Sequence, residues 1–200
     1  VIFLSLPGPK EVEAVATAMD TGLLGGLKKG AAVFDLSTNA PSMVRKLAAQ
    51  FAEQGRHFLD APVSGGPAGA RSGRLAIWIG GDKTIFDEHK ALLDAFADQA
   101  RYIGAIGAGS VAKLVHNCAG YAIQTALAEV FTVGVKAGVE PLALWEAIRQ
   151  GALGRRREHP CVCEPLDGKG HLRGCRAGGT LIPERRQDRQ ARQRVQRRVQ

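Results

Sequence analysis

No stretch of the 200-residue sequence approaches the roughly 18 uninterrupted apolar residues that a membrane-spanning helix needs. Nor does a charged segment followed by an apolar one open it in the manner of a secretory leader. Cysteine is scarce: four in 200 residues exclude a disulfide-dense secreted scaffold. No internal repeat is visible, which excludes a solenoid. A mean hydropathy of −0.08 with 45% hydrophobic residues excludes disorder throughout. The expectation is a soluble, cytoplasmic protein with no membrane partner and one or two domains large enough for a core.

Positive charge is in excess: 27 Lys+Arg against 19 Asp+Glu, a net charge of +8. A basic chain invites an anionic partner, but the charge is not spread evenly. Residues 1–154 carry 14 basic and 14 acidic residues, while residues 155–200 carry 13 and 5, so the whole excess lies in the last 46. Those residues also lack Phe, Trp, Tyr and Met and hold three of the cysteines. Two compositions meet near Gly154.

Before that point, short apolar runs alternate with amphipathic stretches. Strands are expected at 1–6, 31–37, 57–61 and 75–81, with a short one near 101–103. Helices are expected from Pro9 to about Met19, from Pro41 through Val44, Leu47, Ala48 and Phe51, and over 83–98. This order implies an α/β fold with a mostly parallel sheet. From Ser110 to about Ala137 the pattern becomes one long helix, and 141–150 begins another, the start of an all-α region.

Four groups of residues could carry chemistry. Residues 107–112 (GAGSVA) fit G-x-G-x-x-G/A, but a dinucleotide fingerprint needs a second strand ending in an acid about 20 positions on, and none is present. Small residues at a tight helix start explain it better. Residues 60–66 (DAPVSGG) follow a strand and end in a turn whose bare backbone N–H groups can approach an anion, or form an ordinary glycine loop. The strand ends Leu6-Pro7 and Ser37-Thr38 fall on the same sheet edge, where open α/β sheets bind ligands. Lys113 and Asn117 share a helix face at i, i+4, as an acid and an orienting amide or as a solvated pair. His116, one residue from that face, is expected to pack or face solvent. Cys161, Cys163, Cys175, His159 and His171 do not match a zinc spacing, and no metal is expected.

VIFLSLPGPKEVEAV, DLSTNAP, FLDAPVSGGPAGARSGRLAIWIGGD and GAGSVAKLVHN, in this order, resemble the β-hydroxyacid dehydrogenase family over residues 1–154. The resemblance implies an NAD- or NADP-dependent interconversion of a small β-hydroxy acid and its semialdehyde, of the 3-hydroxyisobutyrate or 2-hydroxy-3-oxopropionate type. It implies Lys113 as general acid/base, Asn117 as substrate-orienting partner, and Ser64, Gly65 and Gly66 as the carboxylate site. Leu6, Pro7 and Thr38 would line the cofactor, and a homo-oligomer is implied.

On that footing residues 1–107 form the C-terminal part of a Rossmann-like parallel-sheet domain. Residues 108–154 form an interdomain helix and the start of an all-α domain, and 155–200 an Arg-rich, disordered tail. The family opens with a strand and a G-x-G-x-x-G loop and carries a late K-D lysine, neither of which occurs here. The expectation is therefore an N-terminally truncated fragment, inactive alone, with a reading-frame change between about 154 and 160. Two other readings stand beside it: a nucleic-acid-binding protein that uses the basic tail, and a catalytically dead α/β scaffold.

Overall fold

The computed structural model describes residues 1–18 and 21–151. The basic tail, its cysteines and histidines, and the expected reading-frame change lie outside the described residues. The chain divides into two units, 1–129 and 130–200.

In the first unit β1 (Ile2–Leu4), β2 (Ala32–Asp35) and β3 (His57–Asp60) pair in parallel, with Asp35 beside Asp60 in register. All four residues of β2 are buried, as a central strand covered on both faces requires. Between the strands run α1 (Pro9–Thr17), a short α2 (Leu23–Gly26) and α3 (Pro41–Glu53). Pro9 and Pro41 open α1 and α3 at positions where a missing N–H costs nothing. Val44, Leu47 and Phe51 of α3 are buried at 3–4 spacing and, with Val12, Ala16, Val33 and Phe58, fill the core on one sheet face.

After β3 the chain makes the two-residue β4 (Val63–Ser64) and α4 (Gly66–Ser72), then β5 (Leu75–Gly80), α5 (Lys83–Asp94) and β6 (Ala97–Gly104). β5 pairs antiparallel with β3 and β4 and parallel with β6, so the sheet is mixed, though its β1–β2–β3 half is parallel as expected. Asp82 caps α5, its side chain accepting from the N–H groups of Thr84 and Ile85. The helix expected over 83–98 stops at Asp94, and the last strand is longer than expected. Residues 97–104 satisfy their backbone along β5, and Ala97 and Ala100 enter the core of the other sheet face. Sheet pairing overrides the helical periodicity there. β4 and α4 are not expected from the sequence, since two residues are too short to show a period and the seven of α4 (GPAGARS) hold no large apolar residue.

The helix α6 (Ala108–Lys136) contributes residues to both units. Averaged over an 18-residue window its hydropathy is 1.3, so by length and composition it could cross a membrane, although no uninterrupted apolar run of that length occurs. In the second unit α6 ends in a turn at Gly138 (φ +92°), and Glu140 caps α7 (Pro141–Gln150) by accepting from the Ala143 N–H. Gly134 lies against the side chain of Leu144; a Cβ there would come within 2.6 Å of it.

Candidate active site

Just beyond β1 and β2 a buried polar network joins the two strand ends. Ser37 Oγ accepts from the Leu6 N–H at 2.9 Å, and the Leu36 N–H donates to Leu4 O at 2.7 Å. Asp35, wholly buried, accepts from the Ser37 N–H at 3.0 Å and from the Asn39 side-chain amide. This network joins Leu6 to Ser37, so Pro7 and Thr38 each follow a residue of the joined pair, and both are exposed.

Burial pushes the Asp35 carboxyl above its usual value, and the charge of neighbouring Asp60 acts in the same direction. A raised pKa in the folded state means stability that is present below the unfolded value of 3.8 and lost as pH rises through the folded one. Asn39 Oδ1 is buried without a partner, so an amide N–H at position 35 could reach it if the Asn39 amide turned over. Asp35→Asn is therefore expected to gain stability relative to the parent as pH rises from 4 to 7. Urea midpoints across that range check it, and a pH-independent difference would contradict it.

A second group forms around β4. Gly65 (φ +132°) and Gly66 (φ +59°) adopt backbone angles that a side chain disfavours, so the turn after Ser64 carries no Cβ to hold an anion off its backbone. Ser64 Oγ lies 3.3 Å from His116 Nε2, and the His116 ring packs on Trp78 with centroids 5.1 Å apart. His116 is exposed, as expected, but its contact with Ser64 makes it part of the site. Residue spacing on one helix could not reveal this, because Ser64 is 52 positions away.

Lys113, His116 and Asn117 fall at i, i+3 and i+4, so the contact brings their shared face of α6 to the Ser64-Gly65-Gly66 turn. Lys113 and Asn117 are half-buried. Desolvation lowers the Lys113 pKa from its ordinary 10.5, which eases proton exchange with an oxygen. Among the described residues, no hydrogen bond links Leu6, Pro7 or Thr38 to Ser64 or Lys113. The two groups share a sheet edge with the Asp35–Asp60 pair between them.

The glycines of 107–112 have another use. The Gly107 N–H donates to Asp60 Oδ1, and a Cβ on Gly109 would lie 2.2 Å from Trp78 O. The segment is therefore packed against β5, and its Gly107 and Ser110 N–H groups are bound to Asp60 rather than offered to a pyrophosphate. The residues present suit part of a dinucleotide, through the exposed Pro7 and Thr38 and the half-buried Leu6, and this motif does not supply the rest. A groove of about 440 Å³ lies elsewhere, at the start of β3, lined by Arg45, Ala48, Arg56, His57, Phe58 and Asp82 among others. Among the described residues no cluster of His, Cys, Asp and Glu could hold a metal ion.

A family model described as the NAD binding domain of 6-phosphogluconate dehydrogenase matches residues 1–107. The chain is 36% identical over 148 residues to 2-(hydroxymethyl)glutarate dehydrogenase of Eubacterium barkeri, covering 74% of the chain and 49% of that protein. It is 36% identical over 154 residues to 3-hydroxyisobutyrate dehydrogenase of Pseudomonas aeruginosa, covering 77% and 51%. The backbone resembles that of 3-hydroxyisobutyrate dehydrogenase from Mycobacterium tuberculosis solved with L-serine. There the TM-score is 0.69 at 28% identity, over 82% of this chain and 55% of that one. The chain spans about half the length of the curated relatives it matches.

Proposed function

The chain belongs to the family of the NAD-binding domain of 6-phosphogluconate dehydrogenase, and on that premise we propose that it serves an NAD(P)-dependent interconversion of a small β-hydroxy acid and its semialdehyde. The observation that supports this reading is the Ser64–His116 contact, taken with the i, i+3, i+4 spacing by which Lys113 and Asn117 share a helix face with His116. The backbone N–H groups of the Ser64-Gly65-Gly66 turn and the Ser64 hydroxyl receive the substrate carboxylate. With one end held, the hydroxyl-bearing carbon is oriented toward α6. Leu6, Pro7 and Thr38 hold the ribose and nicotinamide side of the dinucleotide, which when bound accepts or donates the hydride.

In oxidation the neutral Lys113 amine takes the hydroxyl proton as the carbonyl forms. In reduction the ammonium returns it to the carbonyl oxygen. The Asn117 amide donates to that same oxygen and keeps it in line with Lys113. Desolvation of Lys113 supports this role, because it brings the two protonation states closer in energy at working pH. The substrates of the relatives, a hydroxymethyl diacid and a branched hydroxy acid, support the class without choosing within it.

Titration with 3-hydroxyisobutyrate and with its uncharged methyl ester, followed by backbone amide NMR, tests the proposal. The acid is expected to move the Ser64, Gly65 and Gly66 amides and the ester to leave them in place. An equal response to both, or none to either, overturns the carboxylate site. Formation of reduced nicotinamide from NAD⁺ or NADP⁺ with the same acid reads the activity itself.

A further inference from the structure

We propose that Asp60 is a positioning residue: its buried carboxylate ties the start of α6 to the end of β3, and thereby fixes Lys113 relative to the Ser64-Gly65-Gly66 turn. The inference rests on the reading of Lys113 given above. Asp60 is 1% exposed, so it cannot meet a substrate and acts only through others. Its Oδ1 accepts from the Gly107 N–H at 2.8 Å and its Oδ2 from the Ser110 N–H at 2.6 Å.

These donors belong to the first turn of α6, where N–H groups have no partner within the helix. A side chain at the cap itself commonly satisfies them, as Asp82 does for α5 and Glu140 for α7. Here the cap position is Gly107, which has no side chain and sits at φ +92°. The acceptor comes instead from a strand 47 and 50 residues earlier. A local cap would stabilise the helix without specifying where it lies. Asp60 does both, because it is itself held in the sheet opposite Gly80.

The surroundings are cut to fit this carboxylate. A Cβ on Gly80 would come within 2.4 Å of Asp60 Oδ1, and a Cβ on Gly109 within 2.9 Å of Asp60 O. Glycine at both positions lets the carboxylate and the helix start occupy the same small space. From Asp60 the chain runs four residues forward to Ser64. From Ser110 the helix runs three residues, just under one turn, to Lys113. Both halves of the proposed site are thus referenced to one buried carboxylate. Two charge-assisted bonds to it resist displacement better than neutral ones.

Asp60→Asn tests this, since it keeps the volume but can accept only one of the two N–H bonds well. In the unsubstituted chain the Gly107 and Ser110 amide protons are expected to resonate downfield. In the variant they move upfield, and the perturbation extends to Lys113, His116 and Ser64. Where turnover is measurable, kcat falls about 100-fold while KM stays within about threefold, the signature of misplaced rather than missing groups.

A variant whose changes stop at Gly107 and Ser110 and whose kcat is unaltered overturns the proposal and leaves Asp60 a simple helix cap. If Asp60→Asn does not fold, Ser110→Pro removes one donor and keeps the buried carboxylate, and the same changes are then expected at the Gly107 amide, at Lys113, His116 and Ser64, and in kcat. Absence of turnover in the unsubstituted chain would count against the dehydrogenase reading alone, because the amide resonances still decide the role of Asp60.

Discussion

Replacing Lys113 by Met is expected to lower kcat for the proposed interconversion by about 10²- to 10⁴-fold, the range set by losing a positioned general acid/base. Met keeps a long, flexible, apolar stem but can neither donate nor accept the transferred proton. The substitution leaves the carboxylate site proposed at Ser64, Gly65 and Gly66 in place, so KM for the hydroxy acid is expected to change much less than kcat. The pH dependence follows from the lowered pKa of Lys113. In the proposed mechanism reduction needs the ammonium and is expected to slow as pH rises through that lowered pKa. Oxidation needs the free amine and is expected to quicken over the same range.

The stability of Lys113→Met separates this from unfolding. A lysine whose pKa is depressed by folding contributes stability that is present above the unfolded value of 10.5 and lost as pH falls through the folded one. At pH 7 the variant is therefore at least as resistant to urea as the parent. Rates of nicotinamide reduction, read beside urea midpoints, distinguish the cases. A variant of undiminished kcat would remove Lys113 from the mechanism.

Gly109→Ala destabilises the first unit by about 3 kcal/mol or more, the upper end of what overpacking costs. The added methyl would sit 2.2 Å from Trp78 O and 2.9 Å from Asp60 O, both backbone atoms with no rotamer to escape into. Relief requires α6 to withdraw from β5, which stretches the Asp60 bonds to Gly107 and Ser110. Gly120→Ala, in the same helix with open space around its Cβ, gains about 0.5–1 kcal/mol from helix propensity. Urea midpoints with unchanged m-values measure both. Equal effects at the two glycines would mean that the start of α6 does not touch the sheet.

Local pattern carried most of the fold. The apolar runs of β1 and β2, the buried Val44, Leu47 and Phe51 of α3 and the long apolar α6 are each legible within a dozen or so residues, because burial imposes a period on the chain that makes them. The GAGSVA segment was also legible as a helix start rather than a phosphate loop, since a strand ending in an acid did not follow it. What periodicity misjudged lies where a partner strand decides. Residues 95–98 read as helix, yet the last two lie in β6 because β5 supplies their hydrogen bonds. β4 owes its existence to β5 alone.

The candidate site divides in the same way. Lys113 and Asn117 share a face by spacing, and Gly65 and Gly66 announce a turn, so residue type and interval were enough to nominate them. That His116 touches Ser64, that Asp60 caps a helix 47 residues away, and that Gly80 and Gly109 make room for it could not be read from spacing. The sequence by itself determined the elements, the candidate residues and the neutrality of residues 1–154. The tertiary structure alone decided which of those residues meet, because a hydrogen bond between distant positions leaves no period in the chain.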